Sequence, residues 1–229
     1  MTIGGIVPLP TGVDPAAVFT AVGGEPVLAR VVRTLLGQSR IPEGQCVVVP
    51  AAPLAAEVRD CLAAHGLSAV GVTVAPGSGD RRHCVKAGLE YLAREPISAS
   101  QVLLHDHRHL LAPAAVTDRM IDGLRRGGTA VMPAVVVTDS VKAVDALGSV
   151  GGTVDRHGLR AVQFPRGFTV SALTELIGDD RAADFDELDA ALRAGLAIVT
   201  VDGDAEALRV ELPADAALLA ATIADRFSS

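Results

Sequence analysis

A histidine-rich segment directly follows a buried apolar run near the middle of the chain. The run Val102–Leu104 is succeeded by His105, Asp106, His107, Arg108 and His109. In an open α/β sheet, ligands bind beyond the carboxyl ends of the strands, so these ionisable side chains mark a candidate site. If the segment stayed extended, the three histidines would share one face and could bind zinc or another metal that prefers imidazole. Since a strand normally ends where polarity changes, the sequence favours histidines that lie at the surface or form hydrogen bonds.

The loop after the first predicted strand, Pro10–Pro15, lies where a nucleotide-binding fold places a phosphate cradle. Such a cradle needs several glycines, so that backbone N–H groups can approach the anion, and a lysine or arginine to neutralise it. This loop contains Gly12 alone, and the first basic residue of the chain is Arg30. The pattern therefore favours an ordinary connection between a strand and a helix.

A second glycine-containing loop, Gly77–Asp80, leads Arg81, Arg82 and His83 into the start of a predicted helix. Guanidinium groups beside the free N–H groups of a helix N-terminus could bind an anion. A solvated helix start accounts for the same residues equally well. The loop is therefore a candidate anion site with a structural alternative.

Two carboxylates, Asp202 and Asp204, follow the last predicted strand, and Arg209 lies shortly after them. Paired carboxylates at a strand end could hold Mg²⁺ together with substrate phosphates, because this ion prefers oxygen ligands. A turn stabilised by aspartate side-chain hydrogen bonds is the alternative. Taken alone, the segment favours the turn.

Composition and charge argue against several classes of function. The net charge is −7 and the 20 lysines and arginines are scattered along the chain, which disfavours a nucleic-acid partner. No apolar stretch reaches the roughly 18 residues of a membrane span, and the first residues lack the basic segment of a secretion signal. Cys46, Cys61 and Cys84 are odd in number and share no metal-ligand spacing, which favours reduced thiols. We therefore expect a cytoplasmic protein with neither a nucleic-acid nor a membrane partner.

Short apolar runs rich in β-branched residues alternate with helix-length segments over most of the chain. This alternation predicts right-handed βαβ units and a mostly parallel sheet, in a three-layer, Rossmann-like α/β fold that forms one domain over residues 1–229. The predicted strands are Ile3–Pro8, Cys46–Val49, Val70–Val74, Gln101–His105, Thr129–Met132 and Ala197–Val201. The predicted helices are Pro26–Leu36, Pro53–His65, Arg81–Arg94, Pro113–Gly127, Val170–Ile177, Asp184–Arg193 and Pro213–Arg226.

The rhythm changes between about residues 134 and 168. No segment there has a clear helical period, and short strands alternate with glycine-rich turns. The predicted strands are Val135–Val137, Ser140–Val144 and Leu159–Val162. The pattern predicts a β-arm inserted into the α/β domain.

Four segments at these strand ends and in the arm resemble motifs of the 2-C-methyl-D-erythritol 4-phosphate cytidylyltransferases. They are His105–Leu110, which resembles His-Asp-Ala-Ala-Arg-Pro, Asp139–Lys142, which resembles Asp-Thr-Ile-Lys, Thr153–Arg156, which resembles Thr-x-x-Arg, and Gln163–Phe168, which resembles Gln-Thr-Pro-Gln-x-Phe. The Asp179-Asp180 pair and the Asp202–Asp204 turn also fall at their expected places. The resemblance covers nearly the whole chain and implies the nucleotidyltransferase type of fold.

Members of that family join CTP to methylerythritol phosphate and release pyrophosphate, with Mg²⁺ on the phosphates and basic side chains around the transition state. The resemblance implies Arg209 and Arg156 as catalytic residues, and Asp106 and Asp204 as residues that would hold Mg²⁺. The implied nucleotide-binding residues are Gly12, Gly79, Arg81, His83 and Asp106. The implied substrate-binding residues are Asp139, Ser140, Arg156 and Arg166. A homodimer is also implied, because the family's β-arm crosses to the neighbouring subunit and helps to form its substrate site.

The sequence departs from the family at basic positions of the site. The family's first loop, Ala-Ala-Gly-x-Gly-x-Arg followed by Pro-Lys, is shortened here to Pro8–Ala17 and lacks both bases, with the lysine position falling at Ala17. Further changes fall at Arg81–Val85 (Arg-x-Asp-Ser-Val in the family), His109 (arginine), Phe164 (threonine) and Arg209 (lysine). Each lost cationic donor costs a phosphoryl-type transition state roughly 3 kcal/mol, about a hundredfold in rate. From these changes we expect cytidylyl transfer to be weakened or lost.

Two hypotheses about activity remain open at this point. An active enzyme would use Asp106, Asp204, Arg81 and Arg209 around a Mg²⁺-nucleotide, and would need other arginines in place of the absent charges; the candidates are Arg82, Arg108 and Arg166. A non-catalytic paralogue, acting as a binding or regulatory partner, would be a folded dimer with little nucleotide binding. We expect the first loop to be too short or too acidic to wrap a triphosphate.

Overall fold

The computed structural model describes residues 2–37, 40–179 and 184–226. The strands are β1 (Ile3–Leu9), β2 (Ala21–Val22), β3 (Glu25–Pro26), β4 (Cys46–Pro50), β5 (Gly71–Val72), β6 (Gln101–Leu104), β7 (Ala130–Val136), β8 (Val141–Val144), β9 (Val150–Val154), β10 (Arg160–Val162), β11 (Arg166–Thr169) and β12 (Ile198–Asp202). The helices are α1 (Pro15–Phe19), α2 (Val27–Leu36), α3 (Ala55–Ala64), α4 (Arg81–Arg94), α5 (Ala114–Arg125), α6 (Val170–Asp179), α7 (Glu187–Arg193) and α8 (Ala216–Arg226). None of the helices within these ranges is long and apolar enough to span a membrane.

Eight strands form the main sheet. Its order is β5-β4-β1-β6-β11-β7-β10, and β12 also pairs with β7. Strands β5, β4, β1 and β6 are parallel to one another, and β12 is parallel to β7, whereas β11 and β10 run antiparallel to the strands with which they pair. The predicted mostly parallel sheet is confirmed.

Two apolar cores, one on each face of the sheet, make the fold three-layered. Because side chains alternate along a strand, Val7 of β1 packs into one core and Ile6 into the other. Helices α2, α3 and α5 cover the first face, and α4, α6 and α7 cover the second. The predicted three-layer α/β fold is therefore confirmed as well.

The chain begins in the middle of the sheet and then builds outward in both directions. Strand β1 has β4 on one side and β6 on the other, so the order in which the strands are added reverses direction at β1. This reversal of strand order is the topological switch point at which open α/β sheets bind ligands. The carboxyl ends of β1 and β6 consequently border a crevice.

The segment predicted as a β-arm, residues 134–168, divides between two structures. Strands β8 and β9 form a separate antiparallel hairpin, whereas β10 and β11 join the main sheet beside β7. The pattern did not predict β11, which lies between β6 and β7. It also missed α1, β2 and β3, which are too short to show a period.

We predict opposite effects on stability for the same substitution in two helices. A Cβ at Gly88 of α4 would lie 2.8 Å from side-chain atoms of Ile6, whereas at Gly178 of α6 nothing lies within 4 Å. Gly88→Ala should therefore lower the free energy of unfolding by about 1–3 kcal/mol through overpacking. Gly178→Ala should raise it by up to about 1 kcal/mol, because alanine favours the helix.

Urea denaturation of both variants checks the prediction. A neutral or stabilising Gly88→Ala would show that α4 does not approach β1 this closely.

Candidate active site

The crevice at the switch point contains a first cavity of about 410 Å³. It is lined by residues that follow β1 and β6, by Arg81 at the start of α4, and by Glu211 and Leu212. The backbone N–H of Thr11 donates to the Gly79 carbonyl at 2.8 Å, and the Thr11 hydroxyl donates to the Ser78 carbonyl at 2.7 Å. These bonds join the two glycine-containing loops that the sequence marked as candidates.

Gly12 and Gly79 both adopt backbone conformations that favour glycine, with φ of +90° and +65°. A Cβ at Gly79 would also lie 2.8 Å from Thr11 Oγ1, so the close approach of the loops requires glycine there. At Gly12 nothing lies within 4 Å of a Cβ position. Gly12 therefore serves the turn, and Gly79 serves the packing of one loop against the other.

The first loop presents a carboxylate to the cavity and no cation. Asp14 caps α1 by accepting a hydrogen bond from the Ala16 N–H at 2.9 Å, and it lines the cavity together with Ala17. Its side chain thus uses a helix N–H that a bound anion could otherwise use. The loop therefore places an acidic residue at the cavity, and its expected inability to wrap a triphosphate stays a prediction.

The start of α4 is likewise occupied by the protein's own carboxylate. Asp80 accepts hydrogen bonds from the His83 backbone N–H at 2.9 Å and from the Ser78 hydroxyl at 2.7 Å. His83 Nδ1 also lies 2.9 Å from Asp80 Oδ1, and His83 does not line the first cavity. The structure thus supports a capped helix start at this position.

After β6 the chain turns at once instead of continuing extended. His107–His109 form a 3₁₀ turn capped by Asp106, so the three histidines do not share a strand face. Among the residues that the structure describes, no three His, Cys, Asp or Glu side chains form a group that could hold a metal ion. The polarity change after Leu104 therefore marks the end of a strand, as the sequence favours.

Asp106 is buried and fully engaged by Arg108. Its Oδ1 accepts from the Arg108 backbone N–H at 3.0 Å and from Nε at 2.9 Å, and its Oδ2 accepts from Nη2 at 2.8 Å. Burial opposes ionisation, but the hydrogen bonds from Arg108 and the nearby charge of Arg81 outweigh it and hold the Asp106 pKa well below its ordinary value. Asp106 is therefore a carboxylate that two arginines already neutralise.

An aromatic cluster built around Phe164 lies behind this turn. The Phe164 ring stacks on His105 with ring centres 6.4 Å apart, and it packs at a tilt against His109 at 5.0 Å. Arg166 Cζ lies 4.3 Å from the centre of the same ring and Arg81 Cζ lies 5.7 Å from it. Cation–π attraction at these distances helps to hold both guanidinium groups in place.

His105 is a buried neutral imidazole. Its Nδ1 accepts the backbone N–H of Asp106 at 2.9 Å, and its Nε2 has no hydrogen-bond partner among the described residues. Burial lowers the His105 pKa to about 3, and the proximity of His109 adds to the effect. The ring therefore acts as a packing and hydrogen-bonding group at neutral pH.

A second cavity, of about 400 Å³, borders the first along Arg81, Asp106 and Arg108. Its other lining residues are His109, Val162, Phe164, Arg166, Phe185, Asp186 and Arg209. Every arginine that lines it is paired with a carboxylate. The pairs are Arg81 with Glu187, Arg108 with Asp106, Arg166 with Asp186 and Arg209 with Glu211.

Glu187 is a residue that the sequence analysis missed. Its side chain is wholly buried, and Oε2 accepts from Arg81 Nε at 2.9 Å while Oε1 accepts from Arg81 Nη2 at 2.5 Å. Burial opposes the charge of Arg81, but the ion pair with Glu187 outweighs it and keeps the Arg81 pKa above its ordinary value. An acidic residue inside an ordinary amphipathic helix gives no sequence signal for such a role.

The remaining predicted residues divide between the cavities and the arm. Arg209 lines the second cavity at an exposed position, whereas Asp204 lines neither cavity. Asp139, Ser140 and Arg156 lie on the exposed arm, where the Arg156 guanidinium donates to the Thr138 carbonyl. Their substrate-binding and catalytic roles stay predictions, and within one chain the structure does not bring them to the cavities. Asp180 and the side chain of Asp179 lie outside the described residues.

The residues predicted to hold Mg²⁺ do not form a ligand set in this arrangement. Asp106 is engaged by Arg108, and Asp204 Oδ1 accepts from the Glu206 backbone N–H at 2.9 Å in a local turn. Gln163 holds that turn further, since its side chain bonds both the N–H and the carbonyl of Asp204. The turn is the structural alternative that the sequence favoured for this segment.

Comparison with solved structures shows that this three-layer α/β fold is of the nucleotidyltransferase type. A crystal structure of 4-diphosphocytidyl-2C-methyl-D-erythritol synthase superposes with a TM-score of 0.79 at 24% identity, covering 97% of this chain and 98% of that one. For the 2-C-methyl-D-erythritol 4-phosphate cytidylyltransferase of Thermus thermophilus, the TM-score is 0.73 at 25% identity, with 98% and 100% covered.

The sequence comparisons identify the family to which the chain belongs. A model of the 2-C-methyl-D-erythritol 4-phosphate cytidylyltransferases matches residues 11–225. The protein of that name from Nocardia farcinica is 39% identical, with 91% of this chain and 85% of the relative covered. The one from Streptomyces coelicolor is 36% identical, with 90% and 77% covered. This chain belongs to the 2-C-methyl-D-erythritol 4-phosphate cytidylyltransferase family.

The buried neutral state of His105 predicts a specific pH dependence of stability. Between pH 6.5 and about 3 the unfolded chain binds a proton at His105 that the folded chain does not bind. Stability contributed by the neutral ring is therefore present above pH 6.5 and is lost as the pH falls through this window, at about 1.4 kcal/mol per pH unit. His105→Asn should make the decline in unfolding free energy shallower by about that slope.

Urea denaturation between pH 4 and 7, with a chelator present, measures how steeply the unfolding free energy changes with pH in the wild type and in His105→Asn. His157→Asn is the matched control, because the His157 side chain is almost wholly exposed on the arm. Equal slopes for wild type and His105→Asn would contradict the buried neutral assignment.

Proposed function

We propose that this chain is a cytidylyltransferase-type protein in which transfer from CTP to 2-C-methyl-D-erythritol 4-phosphate is weakened or lost. The observation that carries the proposal is the charge pairing in the crevice: the first loop supplies no cation, and each lining arginine is neutralised by a carboxylate. The cytoplasmic location expected from the sequence is part of the proposal.

The first cavity has an unfavourable charge balance for a triphosphate. Arg81 and Arg108 line it against Asp14, Asp106 and Glu211. A triphosphate entering this cavity would meet more carboxylates than guanidinium groups, and repulsion between like charges grows as water is excluded. Binding therefore requires an arginine to leave its carboxylate, which costs part of the affinity that it would supply.

Of the three arginines proposed as replacements for the absent bases, two line a cavity, and both of these are paired with carboxylates. Arg108 and Arg166 line the second cavity, whereas Arg82 lines neither cavity and its guanidinium donates to the Ile177 carbonyl at 3.1 Å. Transfer of a cytidylyl group depends on cations that are oriented toward the reacting phosphates. The fold still positions arginines at the cavity, but the carboxylates paired with them cancel most of the positive charge that would stabilise the reacting phosphates. Mg²⁺ would have to be held mainly by the phosphates of the nucleotide.

The direct test is a calorimetric titration with CTP and Mg²⁺, together with a pyrophosphate-release assay that includes 2-C-methyl-D-erythritol 4-phosphate. We expect no binding at micromolar CTP. We also expect turnover at least about a hundredfold below that of the Nocardia farcinica relative run in parallel. Micromolar affinity with comparable turnover would overturn the proposal.

A gain-of-charge variant sharpens the same test. Ala17 is buried and lines the first cavity, whereas its neighbour Ala16 on α1 is exposed and does not. Ala17→Lys should tighten CTP binding by about tenfold, since it returns one cation to the cavity. Ala16→Lys adds the same charge and should leave the affinity within about twofold. Equal effects of the two variants would show that the cavity charge does not limit binding.

A second candidate function, as a non-catalytic binding or regulatory partner, is favoured by the exposed apolar side chains of the β8–β9 hairpin. Val144, Leu147 and Val150 are 58%, 92% and 65% exposed. Apolar groups clustered on a protruding hairpin are typical of an association surface. The proposed occupant is a second copy of this chain, which would give a homodimer through the β-arm.

The association surface predicts the oligomeric state. The wild type should sediment as a dimer at micromolar concentration. The double variant Leu147→Asp, Val150→Asp should weaken the dimer by more than about tenfold, because it removes apolar burial and introduces charge. Ala64→Asp, on the exposed side of α3, adds charge elsewhere and should leave the dimer intact. A monomeric wild type would contradict the proposed dimer.

A further inference from the structure

We propose that Asp186 and Glu187, at the start of α7, form an internal counter-anion that sets the anion affinity of the second cavity. In this role they are specificity-determining residues: they neutralise Arg81 and Arg166 and thereby exclude phosphate groups. The inference rests on the proposed function, since it concerns the same crevice.

The geometry joins the two carboxylates to the two arginines in one network. Glu187 binds Arg81 through both oxygens, and its Oε2 also lies 3.6 Å from Arg166 Nη1. The same Nη1 donates to Asp186 Oδ2 at 2.8 Å. Each guanidinium group thus meets a carboxylate from the start of α7.

The carboxylates are held in place by the helix that carries them. Asp186 Oδ1 accepts from the backbone N–H groups of Leu188 and Asp189 at 2.8 and 3.1 Å, which makes it the cap of α7. Glu187 occupies the first turn of the helix and is wholly buried. Negative charge is stabilised at a helix N-terminus, so these residues cannot yield their arginines as easily as an exposed glutamate could.

The arginines, in contrast, are arranged as they would be for a ligand. Both line the second cavity, and both lie over the Phe164 ring. Arg166 is 9% exposed, and its Nε has no hydrogen-bond partner among the described residues. A buried guanidinium group with an unused donor is a group that a phosphate oxygen would satisfy. The counter-charge of α7 therefore limits phosphate binding, whereas the position of the donors does not.

Two substitutions remove the counter-charge while keeping the shape. Glu187→Gln retains the size and one acceptor oxygen of the buried side chain. Asp186→Asn retains the helix cap, because asparagine is an equally good N-cap residue. Glu90→Gln is the control: it removes one negative charge from an exposed pair with Arg94 on α4, away from both cavities.

The measurement is calorimetric titration with inorganic pyrophosphate, after thermal unfolding has shown that each variant is folded. Glu187→Gln and Asp186→Asn should each tighten pyrophosphate binding on the order of tenfold, and Glu90→Gln should change it by less than about twofold. Adding Arg166→Gln to Asp186→Asn should abolish the gain. If Glu187→Gln does not fold, Asp186→Asn and its double variant carry the test, since Asp186 is only half-buried.

The outcomes separate this inference from the proposed function. Folded Asp186→Asn with wild-type pyrophosphate affinity would overturn the inference and leave weak CTP binding by the wild type unaffected. A gain in pyrophosphate affinity no larger than that of Glu90→Gln would also overturn the inference, since such a gain would reflect the change in net charge alone. Tight CTP binding by the wild type would instead contradict the proposed function.

Discussion

The pairing of buried arginines with buried carboxylates is the constraint on which this crevice depends. Arg81 and Arg166 both line the second cavity and are largely shielded from water. A buried guanidinium group without a counter-charge is strongly destabilising, so each must be neutralised by a ligand or by the protein. In this chain the protein supplies the charge through Asp106, Asp186 and Glu187. The charges of the buried arginines are therefore neutralised in the folded crevice without a bound anion.

The sheet and its small side chains make this arrangement geometrically possible. Aromatic residues are only 3% of the chain, and helices approach the strands closely where glycine faces a branched side chain, as Gly88 faces Ile6. Strands β1 and β6 are wholly buried between these layers, and their carboxyl ends border the crevice. Phe164, one of the few aromatic side chains, fills the space between the histidines and the arginines. The guanidinium groups of Arg81 and Arg166 are thus held in two ways: they pack on the Phe164 ring and they pair with carboxylates.

Most of the fold could be predicted from the sequence, and the inner arrangement of the site could not. Strand runs such as Cys46–Val49 and helix periods such as Arg81–Arg94 are local patterns, and the structure follows them closely. Strand β11 was missed because its pairing with β6 and β7 is set by partners distant in the chain. Glu187 was missed for the same reason: it is 106 residues from Arg81, and nothing in its own helix distinguishes it from a solvated glutamate.

The identity of a fold and the chemistry of its site are separable for a physical reason. Fold membership follows from apolar periodicity and sheet order, which many side-chain changes at the crevice leave untouched. Transfer chemistry follows from net positive charge oriented at one place, and a single carboxylate there cancels an arginine. Glu187 supplies from within the chain the negative charge that a bound phosphate would otherwise supply to Arg81. The electrostatic effect of an arginine depends on whether its charge is neutralised by a carboxylate of the protein or by a bound anion. Retained arginines are therefore insufficient evidence for retained activity.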